Sequence, residues 1–199
     1  MRHFLILLCA LAVSACASAS NPGAMIAELS DATIIDDASA LRQNVSVGEV
    51  SGGKETNPLW TSEVSNEDFA EALRQSFSAH AMLATETGRY RLDATLEKLK
   101  QPFAGFNMTV TSTVNYTLTD LESGDVLFTE TIEEAYTAEM GDAFMGVKRL
   151  QLANEGSIKQ NISSLIKLMI ETVDQPMESA DSVEETPAAA EEEEEEASS

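Results

Sequence analysis

The stretch NMTVTSTVNYTLT, residues 107–119, decides the fold class of this chain. Apolar or small side chains occupy every second position from Met108 to Leu118, and threonine or asparagine occupies the positions between them. A strict alternation of this kind is typical of a β-strand that buries one face and exposes the other to water. We therefore expect a sheet with a row of threonines on its solvent face.

Three further strands are predicted on either side of this stretch. Residues 90–97 alternate in the same way, residues 126–136 follow turn-forming residues at positions 122–125, and residues 45–50 are rich in β-branched side chains and end at a pair of glycines. Turn residues between two alternating stretches favour an antiparallel hairpin. The sheet is accordingly predicted to be small and antiparallel.

Two amphipathic helices complete the pattern. The first follows a capping-box-like start at Ser65, and its apolar face extends to His80. The second follows the last strand, with apolar positions recurring at helical spacing from Leu150 to Met169. The order is strand, helix, three strands, helix. It predicts an α+β fold in which both helices pack on one face of the sheet.

The first residues of the chain are typical of an exported protein. Arg2 precedes an apolar run from Phe4 to Val13, after which Ser14 and Ala15 lead to a cysteine. The run is about ten residues long, whereas a helix needs roughly twenty to cross a bilayer. We therefore predict a lipoprotein signal peptide over residues 1–15 and no permanent span there.

The tetrapeptide Val13-Ser14-Ala15-Cys16 resembles the lipobox of bacterial lipoproteins. The resemblance implies cleavage before Cys16 and fatty acyl chains, palmitate among them, that hold the mature protein on a membrane. In enteric-type bacteria an Asp after this cysteine retains the protein in the inner membrane, so Ala17-Ser18 implies the outer membrane and a periplasm-facing domain. The alternative is ordinary signal-peptidase cleavage after Ala17-Ser18-Ala19, which would release a soluble protein beginning at Ser20.

The element order behind a lipobox also resembles small envelope lipoprotein domains, namely the lipopolysaccharide-assembly lipoprotein and the auxiliary lipoproteins of lipid-transporting ABC systems. The likeness covers residues 44–172 and rests on that order and on an early helix of the type Asn66-x-x-Phe69-x-x-Ala72-Leu73. We therefore expect an α+β domain at residues 44–173. Residues 16–43 are rich in Ala, Ser and Asp and are predicted to be a lipidated tether.

The carboxy-terminal stretch, residues 174–199, is predicted to be a disordered acidic tail. It contains eleven of the 34 acidic residues and no lysine or arginine, so it carries half of the net charge of -22. A segment of this composition cannot bury enough apolar surface to fold. Its negative charge, like that of the whole chain, repels nucleic acid and predicts no nucleic-acid partner.

Residue types that carry catalysis are scarce in the mature chain. Cys9 and Cys16 lie in the signal and at the lipid position, which leaves the mature domain without a free thiol, and His80 is its one imidazole. Residues 48–55 match the spacing of a phosphate-binding loop except at Glu55, where a hydroxyl would bind magnesium. We interpret Gly52-Gly53-Lys54 as a turn that ends a strand, and we predict no enzyme activity, metal, cofactor or nucleotide.

Apolar side chains in predicted loops are the candidate contact residues: Trp60, Phe103, Phe106 and Phe144. The alternative for Phe103 and Phe106 is that they fold back over the sheet edge or under the helices. Two functions are considered. The first is a membrane-anchored accessory or scaffold that contacts an envelope protein of an assembly or transport machine, and the second is a carrier that holds a lipid or glycan between sheet and helices. A continuous core would leave no room for the carrier's ligand.

Overall fold

The computed structural model describes residues 18–57 and 61–174. The predicted signal peptide, Cys16, Trp60 and the tail beyond Asp174 lie outside the described residues. The elements are β1 (Val45–Ser51), α1 (Asn66–Ala79), β2 (Tyr90–Lys100), β3 (Met108–Asp120), β4 (Val126–Ala138) and α2 (Gly146–Val173). Their order confirms the predicted α+β class and the β-α-β-β-β-α sequence of elements.

The four strands lie in the sheet in their chain order, and three of them form an antiparallel meander. Tyr90 pairs with Asp120 between β2 and β3, and Met108 pairs with Ala138 between β3 and β4. The expectation of a wholly antiparallel sheet is corrected at one edge, where β1 runs parallel to β2, with Val45 opposite Tyr90. The reason is the helix α1 between them, because such a crossover returns the chain to the end at which the previous strand began.

The two faces of the sheet differ as the alternation predicts. Even-numbered positions of β3 are buried from Met108 to Asp120, and the odd-numbered positions between them are half-buried or exposed. On that second face the hydroxyls of Thr109 and Thr137 lie 2.8 Å apart, and those of Thr117 and Thr129 lie 3.2 Å apart. The predicted threonine row is therefore confirmed, and its hydroxyls are linked across the strands.

Both helices pack on the buried face. The Ser65 hydroxyl accepts a hydrogen bond from the Asp68 backbone N–H at 3.1 Å, which caps α1 as predicted. Phe69 and Phe77 of α1 and Ile162 of α2 belong to one cluster of buried side chains together with the inward residues of β2 and β3. The layer between sheet and helices is thus packed with apolar side chains, which form this large cluster and a smaller one around Met108 and Leu150.

The segment before β1 is not a free tether. The side chains of Met25, Ala27 and Leu41 are at most 1% exposed, and the Ala27 N–H donates to the Ser76 hydroxyl at 3.0 Å. The segment packs against both α1 and α2, with its two short 3-10 turns in contact with the helices. The described part of the predicted 16–43 tether therefore belongs to the folded domain, because a few apolar side chains, spaced without periodicity, are enough to seat it on the helices.

Candidate functional site: an apolar tip

Two loops meet at one end of the sheet. Residues 101–107 join β2 to β3, and residues 139–145 join β4 to α2. Since Met108 pairs with Ala138, both loops project from the same end of the hairpin formed by β3 and β4. Three of the four candidate contact residues predicted from the sequence, Phe103, Phe106 and Phe144, lie in these loops.

Their side chains face solvent. Phe103 is 106% exposed, Phe106 is 79% exposed and Phe144 is 89% exposed, and Met140 and Met145 beside them are 48% and 43% exposed. We call these five residues the apolar tip. The alternative in which Phe103 and Phe106 fold back over the sheet is therefore not what the structure shows. Each phenylalanine forgoes roughly 1.5–3 kcal/mol of hydrophobic stabilisation, so a cluster of three is typical of a contact surface.

Arg149, in the first turn of α2, holds the two loops together. Its side chain is buried, and Nη1 donates to the backbone oxygens of Ala143 at 2.7 Å and Phe144 at 2.8 Å, while Nη2 donates to Gly105 O at 3.3 Å. A second link joins the Met140 N–H to Asn107 Oδ1 at 3.2 Å. The backbone carrying the tip is thus fixed from beneath although its side chains project outward.

This arrangement is energetically unfavourable for the guanidinium of Arg149. Arg149 Nε has no hydrogen-bond partner within the described ranges, and its other hydrogen bonds go to backbone oxygens. Burial of a cation with an unpaired N–H is unfavourable. The sequence shows Arg149 only as one polar position beside the apolar stripe of α2, and the prediction of the site therefore missed it.

A surface groove of about 300 Å³ lies beside the tip. It is lined by Phe103, Gly105, Met108, Val147, Leu150 and neighbouring residues of the 101–107 loop and of the first turn of α2. The groove is therefore continuous with the tip and borders the buried side chains of Met108 and Leu150.

The described chain begins at this same end of the molecule. The Ser62 hydroxyl donates to Ser18 O at 2.9 Å, and Gln151 Nε2 donates to Ala19 O at 3.0 Å. Gln101, the first residue after β2, donates through Nε2 to Ser62 O at 2.8 Å. Ser18 is therefore tied to the first turns of α2 and to the loop that carries Phe103 and Phe106.

The loop that contains Trp60 also belongs to this end. Trp60 itself lies outside the described residues, but Thr61 beside it donates through its hydroxyl to Gln101 Oε1 at 2.8 Å. The Thr61 N–H also donates to Asn57 O at 3.3 Å, which closes the base of the loop. Loops that carry candidate contact residues thus converge on one end, a coincidence that the sequence alone could not show.

The opposite end of the molecule carries paired charged groups beside two exposed aliphatic side chains, Leu121 and Val126. Arg89 Nη2 lies 2.7 Å from Asp120 Oδ2 and Nη1 lies 3.4 Å from Glu122, and the hydrogen bond from Arg89 lowers the pKa of the Asp120 carboxyl. Asp174, at the end of α2, accepts hydrogen bonds from the Ser39 hydroxyl at 2.5 Å and the Ala40 N–H at 3.1 Å. These charged groups at the opposite end are thus paired with other groups of the domain.

The other residues considered from the sequence are structural. His80 is buried, with Nδ1 2.8 Å from Ser76 O and Nε2 3.2 Å from the Thr33 hydroxyl. Gly52 has a φ of 81°, a Cβ added there would lie 2.2 Å from Leu96 O, and the next helix begins only at Asn66. A phosphate-binding loop opens directly into a helix, whereas here residues 48–51 belong to β1 and Gly52-Gly53-Lys54 follows the end of that strand, as we predicted.

Two negative findings concern residues 18–57 and 61–174 alone. Within these ranges no helix combines the length and apolar character that a membrane span requires. No group of three or more His, Cys, Asp or Glu side chains in the same ranges could hold a metal ion.

Comparison with known proteins identifies the fold. No protein-family model and no curated protein matches this sequence. Among solved structures, a Xanthomonas campestris protein of the DUF330 family is similar, with a TM-score of 0.55 and 12% identity, over 80% of this chain and 98% of that one. This likeness shows a shared fold.

Two further structures are similar over smaller parts. A Caulobacter crescentus protein proposed to be a lipoprotein gives a TM-score of 0.44 and 14% identity over 67% of this chain and 90% of that one. Lipoprotein GNA1162 from Neisseria meningitidis gives 0.26 and 11% over 49% of this chain and 69% of that one. Their TM-scores are too low to support an argument, and the shared fold rests on the Xanthomonas protein.

Proposed function

We propose that this protein is a non-catalytic lipoprotein of the bacterial envelope, anchored by lipid on Cys16, that acts as an accessory or scaffold for an assembly or transport component. Its membrane would be the outer one, with the domain facing the periplasm, as the residues after the lipobox cysteine imply. The apolar tip, with Trp60 in the neighbouring loop, is its contact surface for another envelope component.

The observation that carries this proposal is the convergence of exposed aromatic side chains at one end, on backbone that Arg149 fixes from below. An exposed apolar patch gives the free protein no hydrophobic stabilisation, and this stabilisation is gained when a partner covers the patch. A scaffold needs such a preformed surface, because little ordering entropy is then lost on contact.

A non-catalytic role is supported by the state of the imidazole. Both ring nitrogens of His80 lie within hydrogen-bond distance of oxygens inside the domain, and the side chain is 2% exposed. A general base must reach a substrate proton. His80 therefore serves as a packing residue that joins α1 to the segment before β1.

The carrier alternative gains no specific support. Most inward side chains of the sheet and of both helices form one buried cluster, and a second, smaller cluster lies near the tip: Met108, Val110, Ala138, Leu150 and Ala153. The groove beside Phe103 is lined by the loop between β2 and β3, by the start of α2 and by Met108, and it borders the smaller cluster from outside. A ligand between the sheet and the helices would have to displace packed side chains.

The anchor is tested with a Cys16→Ser variant beside the wild-type chain, each carrying a carboxy-terminal tag. We expect the wild type in the membrane fraction with an intact mass that includes acyl groups, and we expect Cys16→Ser to lose both the acyl mass and the lipid-dependent anchoring. An unmodified wild-type product that begins at Ser20 in the soluble fraction would refute the proposal.

The contact surface is tested by crosslinking in intact cells. Phe103→Ser with Phe106→Ser should reduce recovery of crosslinked envelope partners at least several-fold. The matched control is Leu29→Ser with Ile34→Ser, since these apolar side chains are 58% and 62% exposed and lie outside the apolar tip. Equal recovery from both double variants would remove the tip from the proposed function.

A further inference from the structure

We infer that the apolar tip contacts the bilayer that holds the lipid anchor, so that the domain meets the membrane with Phe103, Phe106 and Phe144 and stands on it in one orientation. The inference rests on the proposed lipid anchor and names the class of component that the tip touches. Its first support is that the described chain starts, at Ser18, at the end of the molecule that carries the tip.

The chain outside the structure is too short to separate the tip from the anchor. Ser18 is held by Ser62, and Ala19 is held by Gln151 in the second turn of α2. Cys16 precedes Ser18 by two residues, and two residues of fully extended chain span only about 7 Å. A lipid on Cys16 therefore enters the bilayer beside the tip.

This proximity makes even a weak affinity of the tip for lipid sufficient. Once the anchor is inserted, contact between the tip and the same bilayer is an intramolecular event with a high effective concentration. Exposed phenylalanines gain stabilisation at such an interface from the burial of apolar surface. Of the large apolar residues that are exposed, the aromatic ones are all at the tip, in the part of the chain that the structure describes.

The distribution of charge favours the same orientation. Lys100 and Lys148 are exposed beside the two tip loops, and Glu139 and Asp142 are exposed within one of them, so the charges at the tip balance. The acidic stretch begins at the other end of α2, whose 28 residues span about 42 Å. Headgroups on bacterial membranes that carry negative charge would repel acidic residues, and in this orientation the acidic stretch starts, at Asp174, at the end of α2 that is far from the surface.

A bilayer explains the tip better than a protein groove does. The three phenylalanines lie on two loops that project in the same direction, and the third convergent loop holds the chain's one tryptophan. The serine variants of the tip would then lose envelope partners indirectly, because a domain without fixed orientation no longer presents its other faces at a constant height above the membrane.

The test uses tryptophan fluorescence in the lipidated full chain. Trp60→Phe removes the only tryptophan, and Phe106→Trp or Phe144→Trp then places one on the tip. The matched control is Val126→Trp, since Val126 is also exposed, at 57%, but lies at the opposite end of the sheet. Each protein is purified from membranes, reconstituted into vesicles of phosphatidylethanolamine and phosphatidylglycerol, and compared with and without bromine-labelled acyl chains.

We expect bromine to quench tryptophan at positions 106 and 144 at least three-fold more strongly than at position 126. Equal quenching at all three positions, from protein that floats with the vesicles, would overturn the inference and leave the lipid anchor intact. Protein that carries no lipid and does not float would instead refute the proposed function. Crosslinking from position 106 to a protein in intact cells, without quenching in vesicles, would assign the tip to a protein partner and also overturn the inference.

Discussion

The two ends of the sheet differ in the partners of their charged groups and in the apolar side chains that they expose. At the end where β2 begins, Arg89 pairs with Asp120 and Glu122, and Asp174 is bonded to Ser39 and Ala40. At the tip, Arg149 bonds to backbone oxygens alone, and the phenylalanines above it remain in solvent. One end pairs its charged groups within the domain and exposes two aliphatic side chains, Leu121 and Val126, whereas the other exposes three phenylalanines, and this difference makes the tip the candidate contact surface.

The largest effect on stability should come from Arg149→Ala. The substitution leaves the backbone oxygens of Gly105, Ala143 and Phe144 without their donor and opens space beneath both loops. We expect the free energy of unfolding to fall by roughly 2–4 kcal/mol, measured by urea denaturation.

The matched control for that substitution is Arg91→Ala. Arg91 is 49% exposed and pairs with Asp93 at 3.0 Å on the solvent face. Its loss should cost less than about 1 kcal/mol. Equal losses for the two variants would show that Arg149 does not hold the tip.

A smaller effect should appear on acidification, and it should arise at the opposite end. The hydrogen bond from Arg89 lowers the pKa of Asp120 from its ordinary value of 3.8. A lowered pKa in the folded state contributes stability that is present above pH 3.8 and is lost as the pH falls below it. Urea midpoints measured between pH 5 and pH 3 should therefore fall less steeply for Asp120→Asn than for the wild type.

The tip should contribute nothing to that pH dependence. Arg149→Met removes the cation at the tip, but its partners are backbone oxygens that do not titrate in this range. Its urea midpoint should start lower and then follow the wild-type slope. A flattened slope in Arg149→Met and an unchanged one in Asp120→Asn would reverse the comparison between the two ends.

The smallest effect on stability should come from the tip itself. Phe103, Phe106 and Phe144 are almost fully exposed, so their replacement by serine removes little buried surface. We expect the triple variant to unfold within about 1 kcal/mol of the wild type. If these side chains stabilised the fold, the triple variant would instead have a markedly lower urea midpoint. That result would contradict the assignment of the tip as a contact surface.

Periodicity predicted most of the fold because each element buries one face. The alternation in β3 and the cap at Ser65 are local patterns, and both are confirmed. The direction of β1 was predicted wrongly, because a strand of seven residues carries no information on whether its neighbour runs parallel. Met25 and Leu41 were missed as core residues because the apolar residues of this segment recur with neither a helical nor a strand period.

The candidate site was predicted in its residues and not in its arrangement. Phe103, Phe106 and Phe144 are recognisable in the sequence because large apolar side chains are unusual in loops. Their convergence with the start of the described chain depends on pairings such as that of Gln101 with Ser62, which join distant positions. Arg149 could have been suspected from its place beside the apolar stripe of α2, but a charged residue there is more often exposed.

The hydrogen bonds between the first described residues and α2 affect the order in which the domain folds. The Asn21 N–H donates to Glu155 Oε1 at 2.8 Å, and Gln151 Nε2 donates to Ala19 O at 3.0 Å, so positions more than 130 residues apart must meet. Contacts of such sequence separation form late, because they require closure of a very long loop. We therefore expect the segment before β1 to dock onto the domain late in folding, after α2 has formed.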